Sequence, residues 1–257
     1  MHVKRKAFYL MTSLLVLLLG SSSPVLAQGA SNFTPEWVQR SNAIAYKILE
    51  STAKFVPEFA GQMGVDGYDD QVFDLRANLY ERQQASTRKQ LDYLKDLLET
   101  EEDTRVAQDI EIMIQSLVDN MENNRINYER VLPYGNLTGI VFAGFNGLLD
   151  KQVPLERQQA ALSRLKKYTG QEEGTVPITE LAKERLIERL AVEGLIKPFV
   201  GEVQQDLERA PVMIEGLGSL FEATELTGYE EDLAILSEQL TAFNEWVAET
   251  VVPNTRT

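Results

Sequence analysis

Acidic side chains dominate the chemistry this sequence could perform. Asp66, Asp69, Asp70 and Asp74 crowd into one glycine-punctuated stretch, and adjacent carboxylate pairs recur at Glu101/Glu102, Glu172/Glu173 and Glu230/Glu231. The first group has the density of a calcium loop. However, Asp66-Gly-Tyr-Asp-Asp70 lacks the alternating D-x-D-x-D-G order and the bidentate Glu at position twelve. A solvated turn with helix caps is the better expectation. Glycosidase chemistry needs two carboxylates facing each other across a sugar, which sequence neighbours do not provide. Glu101/Glu102 and Glu230/Glu231 instead stand where helices should open, and carboxylates favour the positive end of the helix dipole.

The residues that are missing exclude more. Cysteine is absent, and the one histidine is His2. Ser-His-Asp and Cys-His catalysis, the H-E-x-x-H zinc site and ferritin-like Glu-x-x-His sites are therefore ruled out beyond residue 2. No G-x-x-x-x-G-K-[ST] phosphate loop occurs. From its residues alone the sequence offers no catalytic, cofactor-binding or metal-binding set. The formal net charge of -14 repels phosphate backbones and anionic lipid surfaces, so nucleic acid is not an expected partner.

Residues 1–27 have the design of a secretory signal peptide. Lys4-Arg5-Lys6 is a basic start, Ala7 to Leu19 an apolar run, and Val25-Leu26-Ala27 a small-residue cleavage pattern before Gln28. The run is short for a bilayer span, which takes about 20 residues. No cysteine follows for lipid attachment. The expected product is residues 28–257, periplasmic or secreted, with no membrane contact after cleavage.

The remainder reads as one all-α domain of about seven helices, at 44% hydrophobic content enough for a real core. Apolar residues recur at helical spacing from Thr34 to about Lys54, from Asn78 to Thr100, and from the Glu99–Asp103 acidic turn to about Val131. Further helices are expected over Leu155–Tyr168, from Ile178 with Thr179 as cap, after Pro198, and from Tyr229 to Pro253. No two-residue alternation appears.

Val131 to Leu149 contains no charged residue at all. Gly135-Asn-Leu-Thr-Gly139 supplies a G-x-x-x-G spacing, followed by Gly144 and Gly147. Pro133, Asn136, Thr138 and Asn146 interrupt the run and argue against a membrane span. A buried, glycine-rich central helix is expected, closely approached by its neighbours. Asn32-Phe-Thr34 and Asn136-Leu-Thr138 match glycosylation acceptors, a short and common pattern that matters only in a eukaryotic secretory pathway.

Seven segments, taken in order, carry a resemblance. They are Thr52-Ala-Lys-Phe-Val-Pro-Glu-Phe-Ala60, Met63-Gly-Val-Asp-Gly-Tyr-Asp69, Leu132-Pro-Tyr-Gly135, Leu149-Asp-Lys-Gln-Val-Pro154, Pro177-Ile-Thr-Glu-Leu-Ala182, Gly201-Glu-Val-Gln-Gln-Asp-Leu207 and Pro253-Asn-Thr-Arg-Thr257. The ordered set resembles the N-terminal half of the bacterial domain-of-unknown-function 885 (DUF885) family. That resemblance implies an exported, largely helical protein related to zinc metallopeptidases, with an H-E-x-x-P-G-H-like motif in a C-terminal half. No counterpart of that motif stands in this sequence, so no catalytic residue carries over, and zinc is implied only for the other half. The expected partner is then the C-terminal half or a second copy, met through an exposed apolar face, with a peptide as substrate only of the complete enzyme. The alternative is a stand-alone helical binding module.

Overall fold

The first long amphipathic segments of the chain pack together, the second and third as a helical hairpin. In the computed structural model, which describes residues 34–257, α1 spans Glu36–Ala53, α2 Leu79–Thr100 and α3 Thr104–Arg130. Asp103 caps α3 by accepting from the Arg105 amide at 3.0 Å, the role its place after the acidic turn foretells. Leu91 and Leu94 of α2 meet Val106, Ile110 and Leu117 of α3, with Trp37, Ile44 and Ile48 of α1 laid over them. Between α1 and α2 the chain makes two single turns of 3₁₀ helix, Pro57–Phe59 and Gly61–Met63, before an irregular stretch containing the aspartates.

The charge-free segment forms α4, Leu137–Leu148. Leu137, Thr138, Val141, Gly144, Phe145 and Leu148 are all buried. Around it stand α6 (Ala160–Thr169), preceded by a one-turn α5 (Leu155–Gln158), then α7 (Ile178–Leu190), α8 (Val200–Glu222) and α9 (Glu230–Thr250). Their apolar stripes close into one cluster with α4 at its centre. Its aromatic seam runs from Tyr168 to Phe145 (centroids 5.6 Å apart), from Phe145 to Phe221 (5.1 Å), and on to Tyr229 (4.8 Å). Each fully buried ring of this kind contributes about 1.5–3 kcal/mol through removal from water. Residues 36–257 form one unit, with nine α-helices among the described residues. The all-α expectation holds.

The central helix is shorter than the charge-free run. Residues 131–136 are not helical, and Val131 pairs with Ile196 as an isolated bridge. Pro133 explains the delay, since the residue before proline is pushed out of helical geometry. Asn136 then caps α4 by accepting from the Gly139 amide at 2.8 Å, while its Nδ2 donates to Asp206 at 2.9 Å. That occupied amide makes Asn136 a capping residue and leaves the sequon no free side chain. The other sequon, at Asn32, and the signal peptide lie outside the described residues.

Three local expectations need correction. A Cβ on Gly135 would meet nothing within 4 Å, and one on Gly139 would meet only the Asn136 cap. The G-x-x-x-G pair is therefore not where neighbours approach. The close approaches are at Gly144, where a Cβ would lie 2.7 Å from Glu58 Cγ, and at Gly216 of α8, 2.9 Å from the Phe142 ring. Thr179 does not cap α7: Pro177 holds that position and Thr179 is buried in the first turn. The helix expected over Leu155–Tyr168 is divided at Gln159.

Candidate functional site

Two charged side chains, Glu58 and Arg164, are buried where composition alone would not put them. Glu58 is the middle residue of the Pro57–Phe59 turn, and it packs directly on α4 at Gly144. Arg164 lies on α6 among Ala161, Leu165 and Tyr168, all on the buried face. Glu58 is 6% exposed, Arg164 2% and Tyr168 0%. Burying such groups is costly unless hydrogen bonds replace their hydration.

Those bonds are supplied by three separate parts of the chain. Glu58 Oε1 accepts from the Tyr168 hydroxyl at 2.5 Å and from the Phe73 amide at 2.7 Å. Arg164 donates to two backbone carbonyls, Gly144 at 3.2 Å and Tyr68 at 3.0 Å. Burial, and then the adjacent Glu58 carboxylate, push the Tyr168 phenol well above its ordinary value against the smaller opposing pull of Arg164. Tyr168 is thus a fixed hydrogen-bond donor and has no use as a base near neutral pH. Glu58 Oε2 and Arg164 Nε make no hydrogen bond to the protein and are closed off from solvent.

Beside them is a cavity of about 230 Å³, lined also by Gln62, Asp69, Gly147 and Arg157. Its rim is a bidentate pair: Arg157 Nε to Asp69 Oδ2 at 2.7 Å and Arg157 Nη2 to Asp69 Oδ1 at 2.9 Å. The two-point geometry fixes the aspartate loop against α5 more tightly than a point charge could. A guest in this cavity would meet the Arg157–Asp69 pair and Gln62, because the unpartnered atoms of Glu58 and Arg164 lie behind the surface.

The four aspartates do not converge. Asp69 faces Arg157, and Asp70 faces Lys167 at 2.7 Å. Asp66 stands 3.8 Å from Arg157 with its side chain 83% exposed. Asp74 turns away to Arg76 and Arg82. Burial raises the Asp74 carboxyl, but the hydrogen bonds from Arg76 and Arg82 outweigh it and bring it down to about 2. Asp66 and Asp69 share Arg157 while Asp70 and Asp74 meet other cations, so the stretch is a charged turn tied down by ion pairs.

The adjacent pairs are equally structural. Glu101 accepts from the Asp103 amide at 2.8 Å and pairs with Arg40. Glu172 accepts from Ser163 at 2.9 Å and lies 3.7 Å from Lys167. Glu230 and Glu231 occupy the first turn of α9. Zinc, implied by the family resemblance for the other half of such a protein, does not fit this chain's donors. No described residue is a histidine or cysteine, and no three acidic residues among the described ones are grouped to hold an ion.

Sequence reasoning passed over Glu58, Arg164 and Tyr168. A signal was present for one of them. Ala161, Arg164, Leu165 and Tyr168 fall at i, i+3, i+4 and i+7, so Arg164 occupies a position whose neighbours on the face are apolar. No described helix is long and apolar enough to cross a membrane. No family model, no curated protein and no solved structure matches this chain.

Proposed function

We propose that this chain is the exported, helical, non-catalytic portion of a DUF885-like, metallopeptidase-type protein. The metal and the catalytic glutamate come from a separate stretch carrying the H-E-x-x-P-G-H-like motif, and this portion supplies a helical wall beside it. Alone it is inactive.

The observation that supports this reading is where the seven resembling segments lie. Two pairs of them meet directly, the first through the Val65 amide, which donates to the Ala60 carbonyl at 2.9 Å. Thr52–Ala60 contributes Glu58, and Met63–Asp69 contributes the Tyr68 carbonyl and Asp69, to a single polar node on α4. Leu132–Gly135 meets Gly201–Leu207 through the Tyr134 hydroxyl, which donates to Asp206 at 3.2 Å. Two further segments are anchored to residues outside the set: Pro177 packs against Gly170, and Arg256 exchanges backbone hydrogen bonds with Pro198 and Val200.

The test is reconstitution. The purified chain is incubated with zinc and a fluorogenic peptide, with and without a polypeptide bearing the H-E-x-x-P-G-H segment. Expected is no stoichiometric zinc and no hydrolysis alone, with metal-dependent hydrolysis on mixing. Metal-dependent hydrolysis by the chain alone would overturn the proposal, as would failure of the two to form a complex. N-terminal sequencing of the exported protein should begin at Gln28. The second reading, a stand-alone periplasmic binding module, is favoured by one feature, an open apolar groove between α8 and α9.

A further inference from the structure

The α8–α9 hairpin differs from the rest of the chain in two independent ways. The first is shape. Leu207, Ala210, Pro211, Ile214 and Gly218 form one stripe of α8, and Leu233, Ser237, Thr241, Asn244 and Ala248 one stripe of α9. Between them lies an open groove of about 690 Å³. Small residues set its depth: alanine, glycine and serine stand where a core-facing stripe would carry leucine. From Leu233 to Ala248 it runs about 22 Å, at about 1.5 Å per helical residue. Pro211 in its wall has no amide hydrogen and cannot donate to the Leu207 carbonyl, so an acceptor of the α8 ladder is released beside the groove.

The second is charge. Residues 200–250 contain twelve acidic side chains and one basic one, Arg209. Among the described residues none of these twelve acids is in an ion pair, whereas acids elsewhere pair repeatedly with Arg and Lys. Glu208, Glu215 and Glu222 recur at i, i+7 and i+14 and form an exposed ridge along α8. Glu238, Glu245 and Glu249 form an exposed ridge on α9, and Glu215 and Glu245 reach the groove itself. An apolar floor flanked by two unneutralised carboxylate ridges is complementary to a helix with an apolar face and basic flanks.

We propose that this groove is the docking site for a cationic amphipathic helix carried by another protein. The apolar face of that helix would cover Leu207, Ile214 and Leu233, and its Lys and Arg residues would reach the two ridges, a helix-in-groove mode of recognition. A second copy of this chain is disfavoured as occupant, because its own α8–α9 face brings carboxylates against carboxylates. An anionic lipid surface is disfavoured for the same reason. The inference stands whether or not the metallopeptidase-type reading holds, since it uses only the hairpin's geometry and charge.

The experiment titrates the full chain with a labelled Leu/Lys helical peptide of about 18 residues, long enough to run the length of the groove. A Leu/Glu peptide with the same apolar face is the control. Expected is saturable one-to-one binding of the Leu/Lys peptide, weakening as salt rises from about 50 to about 300 mM, and no binding of the Leu/Glu peptide. Thr241→Trp, at an exposed position in the groove, should weaken binding at least about tenfold by filling it, and Glu215→Lys with Glu245→Lys should do the same by reversing the rim. Glu99→Lys with Glu111→Lys changes net charge equally on exposed faces of α2 and α3 and should leave affinity within about twofold. Circular dichroism confirms that each variant remains helical. Equal weakening by both charge-reversal pairs, or no effect of Thr241→Trp, would reduce the binding to general attraction and overturn the site. A stable dimer that Thr241→Trp dissociates would assign the groove to a second copy instead.

Discussion

Two acidic regions of this molecule treat their carboxylates in opposite ways. In the aspartate loop and its neighbours every burden of negative charge meets a cation or an amide: Asp69 with Arg157, Asp70 with Lys167, Asp74 with Arg76 and Arg82, Glu58 with Tyr168 and the Phe73 amide. Along the α8–α9 hairpin the glutamates of the two ridges project into solvent beside an apolar groove, while Asp206 turns to Tyr134 and Asn136. The loop has no regular hydrogen-bond ladder of its own, so its charges must tie it to α5, α6 and α2. The hairpin is already held by its helices and by the α4 core, and its charges remain available to something else. Acidity in the first region is an anchor, and in the second it is a surface.

Substitutions can sharpen that contrast, beginning with the core that carries both regions. Phe145→Ala removes a fully buried ring packed on Tyr168 and Phe221 and should cost about 3–5 kcal/mol in urea denaturation. Val212→Ala, 71% exposed on α8, should cost less than about 0.5 kcal/mol. Comparable losses at the two positions would show that α8 is not the rigid wall described.

The next effect is one of pH. In the folded chain the Asp74 carboxyl lies at about 2, against 3.8 ordinarily. A depressed carboxylate contributes stability that is fully present above its unfolded value and is lost as pH falls through its folded one. About 2 kcal/mol should therefore disappear between roughly pH 4 and pH 2. Asp74→Asn, measured by denaturation across that range, should remove this component of the slope. An unchanged slope would mean that Asp74 is not the anchor.

At the polar node, Tyr168→Phe takes the 2.5 Å donor from Glu58 and leaves only the Phe73 amide on Oε1. A loss of about 1–3 kcal/mol is expected, the range for stripping a buried polar group of a partner. Hydrogen exchange should rise in residues 61–76, because the loop is held through this node. The smallest effects divide the two regions most cleanly. Asp69→Asn, which breaks the bidentate pair with Arg157, should destabilise by about 0.5–1 kcal/mol. Glu245→Gln should be neutral or slightly stabilising, since it relieves repulsion along the α9 ridge, and added salt should erase the difference. A destabilising Glu245→Gln would place that carboxylate among the anchors.

Much of the fold was legible before any coordinates. The α2 and α3 spans fall within a residue or so of the expected ones because Leu91, Leu94, Ile110 and Leu117 keep strict helical spacing. Glycine roles were less legible. A G-x-x-x-G spacing states that two backbones could approach, yet Gly135 and Gly139 meet no neighbouring element; the approach occurs at Gly144 of the same glycine-rich run, as expected of it, and at Gly216. Likewise Thr179 has the right side chain for a cap, but Pro177, two residues earlier, holds the cap position and leaves Thr179 inside the first turn of α7. The polar node was hidden because Glu58 and Tyr168 lie 110 residues apart, beyond what any local pattern reports.

By itself the sequence determined that the chain is all-α, that a charge-free helix is its centre, and that histidine and cysteine chemistry is excluded beyond residue 2. Those properties are local or compositional: periodicity sets helix type, and a missing side chain is missing in any fold. Only the tertiary structure decided which acids are paired and which are free. Pairing depends on distances between segments far apart in the chain, and Asp69 and Glu245 carry the same carboxylate until Arg157 is folded against one of them and nothing against the other.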